Sequence, residues 1–152
     1  MYKEELIMEI IANEIQNVAV NQNILFTDTV IKGNKWISHR VGSGLITLKG
    51  LRGCDCNCQQ KARYLVTYSG NIAVPTGGTL PSEISVSIAV DGEPAQATRM
   101  RSYVGGADFY NNVSASTYID VPNGCCVKVS VENTSTQAIN VQNANLIAVR
   151  VA

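Results

Sequence analysis

The feature that most constrains this chain is one hairpin pattern near its middle. Between Ile84 and Val90, isoleucine and valine occupy every second position and small residues fill the others, which is the two-residue period of a half-buried β-strand. Asp91 and Gly92 then supply a turn, and the extended run over residues 95–103 suits pairing with the first strand. Because an isolated hairpin is marginally stable in water, the pattern predicts further sheet surface that covers its apolar side.

The same alternation recurs along the chain after residue 18, with Gly, Pro and Asn between the runs. The longest alternating runs cover residues 62–69, 113–121, 125–132 and 145–151, and shorter β-prone runs cover residues 24–31 and 45–48. Strands at nearly regular spacing, separated by turn residues, are typical of an antiparallel sandwich or jelly roll. The sequence therefore predicts an all-β domain over residues 18–152.

Residues 1–17 have a different period, and a short N-terminal helix is predicted over residues 3–17. Apolar side chains recur there at spacings of three and four residues, with charged and amide residues mostly elsewhere. The apolar face consists of Leu6, Ile7, Ile10, Ile11 and Ile15. Because so short a helix is marginal alone, it would pack on the body, form a trimeric bundle with its copies, or act as an anchoring arm.

The charge content limits the kinds of partner that the chain can bind. Only 16% of the residues are charged, whereas soluble domains average about 25%. We therefore expect that much of the surface faces another subunit, or that it is a neutral polar surface as on many fibrous and capsid-like proteins. Twelve basic residues balance twelve acidic ones, and the basic pairs at residues 99 and 101 and at residues 49 and 52 are too small for a phosphate-binding patch, which argues against nucleic acid. No run has the length of a membrane-inserted helix, and the first residues lack the pattern of a signal peptide. We therefore expect folding inside a cell.

Five segments, in this order, carry a resemblance to a known family. They are residues 44–48, 62–68, 84–94 with a Val-Asp-Gly-Glu-Pro turn, 114–131 with Val-Pro-Asn-Gly-Cys-Cys-Val-Lys-Val, and 146–151. The chain resembles the jelly-roll domain shared by the tumour necrosis factor family and the globular heads of complement-type collagens. It is similar in particular to small bacterial and phage versions, such as the C-terminal domains of collagen-like spore-surface glycoproteins.

This resemblance implies an antiparallel jelly-roll sandwich of about ten strands, assembled as a tight homotrimer around a three-fold axis. The collagen-bearing members carry a Gly-X-Y segment, and this chain has the predicted helix in that place. A signalling role is therefore not carried over, and only the fold and the trimer are.

The cysteines are the residues that most clearly indicate a specific chemistry. Closely spaced thiolates can ligate zinc or another soft metal, and an imidazole can complete a tetrahedron. The candidate ligands are Cys54, Cys56, Cys58, Cys125, Cys126 and His39. Three interpretations compete, because cysteine patterns do not fix connectivity: disulfides between loop and strand, free buried thiols, or a metal site such as a structural zinc. His39 has no credible nucleophile and orienting acid with it, so a structural role is favoured over that of a catalytic base.

Four aromatic residues are candidates for a trimer interface, where aromatic side chains concentrate. They are Tyr103, Phe109, Tyr110 and Tyr118. Burial within the subunit is the alternative for each of them.

Two classes of function follow. The first is a non-enzymatic homotrimer with no catalytic residues: a phage virion decoration, fibre or surface-display protein on a virion, spore or cell surface. It would be held to a capsid, tail or spore-surface protein by the N-terminal helix and would adhere to a glycan or host surface by multivalent contact. The second is a metal-binding protein or metal-dependent enzyme that uses the cysteines.

Overall fold

The computed structural model describes residues 6–50, 61–124 and 126–152, which form two antiparallel β-sheets packed face to face. The strands in chain order are β1 (Ile7–Ala12), β2 (Gln16–Val18), β3 (Asp28–Ile31), β4 (Ile37–His39), β5 (Ile46–Lys49), β6 (Lys61–Ala73), β7 (Ser82–Val90), β8 (Glu93–Pro94), β9 (Met100–Val104), β10 (Asn111–Pro122), β11 (Cys126–Asn133) and β12 (Ile139–Arg150). A single turn of 3₁₀ helix covers Gln96–Thr98 within the described part of the chain.

The order of strands defines two sheets. Sheet A runs β10-β6-β12-β1-β3, with β2 paired to β12. Sheet B runs β4-β5-β11-β7-β8, with β9 paired to β7. The inner faces of the two sheets bury one continuous core of isoleucine, valine and leucine, in which Phe26, Tyr64 and Tyr68 are the largest buried side chains. The predicted all-β jelly-roll sandwich is confirmed.

The central hairpin forms with one local change. β7 pairs with β9 so that Ile84 lies opposite Ser102, and the turn places both Asp91 and Gly92 at positive φ, 51° and 87°, as primed hairpin turns require. The predicted return strand over residues 95–103 is interrupted by the 3₁₀ turn. There the Thr98 hydroxyl oxygen accepts a hydrogen bond from the Ile88 N–H at 3.0 Å, so a side chain replaces one rung of the ladder.

The predicted N-terminal helix is not found among the described residues. β1 lies between β12 and β3 in sheet A, with Ile10 opposite Leu146 and Thr29, and β2 pairs with the start of β12. The segment from residue 7 to residue 18 is therefore part of the sandwich, whereas residues 1–5 lie outside the described part of the chain.

The error has a physical reason, which is that β1 is apolar on both faces. Met8, Ile10 and Ala12 are buried in the core, while Ile7 and Ile11 are half-buried on the outer face of sheet A. A strand of this kind also places isoleucines three and four residues apart, which is the helical spacing. Of the remaining residues of the proposed helical face, Leu6 precedes the strand and is half-buried, and Ile15 is exposed beyond its end.

Candidate functional site

The two sheets end side by side at the edge formed by β9 and β10. The side-chain amide of Asn111 on β10 donates a hydrogen bond to the Ser102 hydroxyl on β9 at 3.0 Å, which ties the two edge strands together. Three aromatic side chains are exposed here: Tyr103 on β9 (71%), Tyr118 on β10 (63%) and Phe109 in the connection between them (65%). Large aromatic side chains left this exposed by a subunit are typical of interaction surfaces.

Three of the four aromatic residues predicted at the trimer interface thus lie at this edge. Tyr110, the fourth, is half-buried. The ring of Phe109 lies against Gly106, where an added Cβ would come within 2.5 Å of the ring, so the backbone at residue 106 accommodates the aromatic side chain. The assignment of these four residues to a trimer interface stays a prediction.

An apolar row crosses the outer face of sheet A next to this edge. Pairing places Tyr118 opposite Leu65, Leu65 opposite Val149, and Val149 opposite Ile7. Since neighbouring strands lie about 4.8 Å apart, the row extends for about 15 Å across four strands. Leu65, Val149 and Ile7 are each half-buried within the subunit, so this face is only partly covered by its own chain.

One ion pair lies at the end of the apolar row, beside Tyr118. The Arg63 Nε lies 2.7 Å from an Asp120 carboxylate oxygen, and the guanidinium lies 5.9 Å from the centre of the Tyr118 ring. The hydrogen bond from Arg63 lowers the pKa of the Asp120 carboxyl below its ordinary value. Arg63 therefore orients the tyrosine and the aspartate together on the exposed face.

Sequence reasoning missed this row because it depends on which strands are neighbours. Leu65 lies between Tyr64 and Val66, whose side chains are fully buried on the opposite face. The sequence does contain a signal for such a row. It is an apolar residue at an outward position of a strand whose inward positions are already all apolar. The same signal is present at Ile147 and Val149 in β12.

His39 lies at the opposite edge of the sandwich, on β4. Its Nε2 is 2.8 Å from the Ser43 carbonyl oxygen, so this nitrogen carries the proton and donates, and the ring meets Phe26 edge-on with centroids 6.4 Å apart. Its Nδ1 is buried and has no hydrogen-bond partner among the described residues. This geometry favours the structural role, in which His39 holds the turn after β4.

Four of the five cysteines predicted as metal or disulfide sites lie outside the described residues, namely Cys54, Cys56, Cys58 and Cys125. Cys126 is exposed and lies opposite Lys49 at the start of β11. Because His39 lies opposite Ile46, three residues further along β5, it is about 10 Å from the level of Cys126. The structure therefore does not bring His39 and Cys126 together, and no group of three potential metal ligands occurs within residues 6–50, 61–124 and 126–152.

The comparisons with known proteins agree with the geometry at the level of the fold. The globular domain of zebrafish complement 1qA superposes with a TM-score of 0.63 at 12% identity, over 97% of this chain and 98% of that one. Murine APRIL gives 0.62 at 10% identity, over 97% and 100% of the two chains. Eiger TNF from S. frugiperda gives 0.64 at 11% identity, over 99% and 94%.

No family model and no curated protein matches the sequence. The three superpositions cover nearly the whole of each chain, so the resemblance expected from the sequence is confirmed for the fold: this chain is a jelly roll of the tumour necrosis factor and complement globular-head type. No helix within the described residues is long and apolar enough to cross a membrane.

Proposed function

We propose that this jelly roll is a non-enzymatic structural and binding protein that works as a homotrimer. In this proposal it is a decoration, fibre or display protein on a phage virion, spore or cell surface, and it adheres to carbohydrate or to a host surface. The observation that carries the proposal is the position of the exposed aromatic edge beside the apolar row of sheet A, with Tyr118 belonging to both.

The two surfaces suit a closed ring of subunits. An edge that packs against the face of the next copy makes a heterologous contact, and such contacts form a ring when the rotation closes. Burial of Tyr103, Phe109 and Tyr118 against Leu65, Val149 and Ile7 would remove apolar area from water on both partners, at about 25 cal/mol for each Å². The low charge content of the chain, 16%, supports the same conclusion.

The place of attachment differs from the one first expected. β1 is an inner strand of sheet A and cannot serve as a detachable anchor. The first described residue, Leu6, and the last, Ala152, lie at one end of the sandwich, since the Arg150 N–H donates to the Leu6 carbonyl at 2.8 Å and the Arg63 N–H donates to the Ala152 carbonyl at 3.1 Å. We propose that a capsid, tail or spore-surface protein contacts this end.

The solution mass of the chain and two variants tests the trimer. We expect light scattering to give about three times the chain mass of 16.3 kDa. Tyr118→Arg places a charge in the proposed interface and should give monomer, whereas Val41→Arg, at a residue exposed to the same degree (65%) on the opposite edge, should leave the trimer intact. A monomeric wild-type protein, or equal behaviour of the two variants, would contradict the proposal.

A structural zinc at the cysteines is the second proposal. It is supported by the pairing of Cys126 with Lys49 and of Pro122 with Lys61, which brings the residues that flank 51–60 to the end where Cys126 lies. A zinc ion there would act as a structural clip, because its binding free energy would add to the stability of the folded chain. Elemental analysis should find zinc in stoichiometric amount and should find it lost in Cys126→Ser. Metal-free protein whose melting temperature does not respond to a chelator would exclude this role, and with it a metal-dependent enzyme.

A further inference from the structure

The basic residues of this neutral chain are unevenly placed. Between residues 29 and 50 there are four lysines and arginines and no aspartate or glutamate, although the whole chain has twelve of each sign. This stretch forms β3, β4 and β5 at the edge of the sandwich opposite Tyr103 and Tyr118. We call the surface that carries Lys32, Lys35, Arg40, Lys49 and Lys128 the basic flank.

Three open grooves follow the basic flank around β4. The largest, about 700 Å³, lies between β3 and β4 over the buried side chains of Met8 and Ile37, with Lys32 in its wall. The second, about 490 Å³, is lined by Arg40 and Lys128 and shares Ser38 and His39 with the first. The third, about 360 Å³, contains Lys35, Trp36 and Lys49. None of the three contains an acidic residue.

The basic side chains of the flank are largely uncompensated. Lys32, Arg40, Lys49 and Lys128 make no ion pair with another described residue, whereas Arg63 and Arg101 elsewhere on the molecule each face a carboxylate. At the end of the flank, the Arg150 guanidinium lies 4.5 Å from the centre of the Trp36 ring. Positive charge without a partner, placed around open grooves, attracts and retains anions.

The other lining groups indicate which anion fits. Neutral hydrogen-bonding side chains alternate with the cations, namely Thr29, Asn34, Ser38, Ser43 and Thr47. These groups can bind hydroxyls, while lysine and arginine bind carboxylates or sulfates. From Trp36 to Arg40 the flank extends for about 13 Å at the rise of a β-strand, which suits a short oligomer better than a single ion. We propose that the basic flank binds acidic oligosaccharides, whose rings carry both hydroxyls and carboxylate or sulfate groups.

A nucleic acid is less well matched to the same surface. Binding of single strands uses exposed aromatic faces for stacking. In the grooves, Trp36 has Arg150 against its ring, and the His39 ring packs edge-on against Phe26. Nucleic-acid-binding domains are also strongly basic as a whole, whereas this chain has no net charge. The largest groove also has an apolar floor of Met8 and Ile37, which a sugar ring can cover with its C–H groups.

This inference rests on the proposed adhesive function and gives it a ligand class and a site. The experiment measures binding to the full chain by calorimetry, using a heparin-derived hexasaccharide, a sulfate-free uronate hexasaccharide and neutral maltohexaose. The flank variant combines Lys32→Gln with Arg40→Gln. The control variant combines Arg99→Gln, just before β9, with Arg101→Gln on β9, which removes the same charge from the opposite edge. Light scattering on every variant measures the oligomeric state separately from ligand binding.

We expect the two acidic hexasaccharides, or the sulfated one alone, to bind and the neutral one not to bind. The flank variant should lose about tenfold in affinity for each contacting cation removed, because each substitution removes a charge-assisted hydrogen bond to the ligand. The control variant should bind as the wild type does. An equal loss in both variants would show attraction by overall charge and would overturn the site.

Two further results would also overturn the inference. Tighter binding of a short DNA duplex than of the acidic hexasaccharides would assign the flank to nucleic acid. Binding of maltohexaose that is unchanged in the flank variant would place glycan binding elsewhere and leave the adhesive function intact. Loss of the trimer with acidic binding retained would contradict the proposed assembly but not this site.

Discussion

Gly44 lies where the chain after β4 passes against the backbone of residues 23 and 24. A Cβ at this position would lie 2.6 Å from the Ile24 carbonyl oxygen and 2.8 Å from the Asn23 Cβ. Because a main-chain oxygen cannot rotate away, we expect Gly44→Ala to cost about 1–3 kcal/mol, in the range of other overpacking changes. Gly105→Ala is the matched control, since nothing lies within 4 Å of its added Cβ. Thermal unfolding of the two variants at one protein concentration checks this, and equal melting temperatures would contradict the close approach.

Glu132 is a buried carboxylate on β11, and desolvation raises its pKa above the ordinary value of 4.5. The charged form is therefore less stable in the folded chain than in the unfolded chain. This penalty is present in full above the raised pKa and disappears as the pH falls through it towards 4.5. We expect Glu132→Gln to have a higher melting temperature than the wild type at pH 7. The difference in melting temperature should shrink as the pH falls through that window. A constant difference at all pH values would contradict the assignment.

At the scale of the strand, β1 is the element for which the structure and the helical interpretation of the N-terminus lead to different expectations. Ile10 is fully buried (0%) between β12 and β3, and Ile15 is 54% exposed, although a helix would place both on one face. We expect Ile10→Ala to cost about 2–5 kcal/mol and Ile15→Ala to stay within about 0.5 kcal/mol of the wild type. Chemical denaturation measures both, and similar costs for the two changes would restore the helical interpretation.

The strands that the sequence predicts well are those with one polar face. In β7, β10 and β11 every second residue is small or polar, so the period of two is visible without neighbours. β1 is apolar on both sides, because Ile7 and Ile11 lie on an outer face that the subunit covers only in part. Alternation disappears there, and only the pairing of β1 with β12 identifies it as a strand.

The basic flank was not visible for a different reason. The first four of its cations are separated by three to nine residues in the sequence, and Lys128 lies far from them. They come together because β5 pairs with both β4 and β11 and β3 lies across the gap between the sheets. Sequence inspection found only the adjacent pairs, such as residues 99 and 101. The observable trace was the lack of any acidic residue from residue 29 to residue 50.

At the scale of the molecule, the two edges of the sandwich differ in chemistry. The β9/β10 edge has exposed aromatic side chains and lies next to an apolar row, whereas the opposite edge has lysine and arginine side chains around open grooves. If the aromatic edge is covered by another copy, the basic flank of each subunit stays on the outside of the ring. A trimer would then present three equivalent grooves to one surface.

This arrangement predicts a difference between soluble and surface-bound ligand. Tyr118→Arg is expected to give a monomer whose basic flank is unchanged, because the substituted residue lies on the opposite edge. Its affinity for a soluble acidic hexasaccharide should equal that of the wild type. On a surface that carries the same saccharide at high density, the trimer should bind about 10²–10⁴ times more tightly than the monomer, since the second and third contacts are intramolecular. Surface plasmon resonance at two ligand densities measures this. Ile15→Arg, at an exposed residue outside both the aromatic edge and the basic flank, should retain the trimeric avidity, and a monomer that binds the dense surface as tightly as the wild type would show that adhesion needs no assembly.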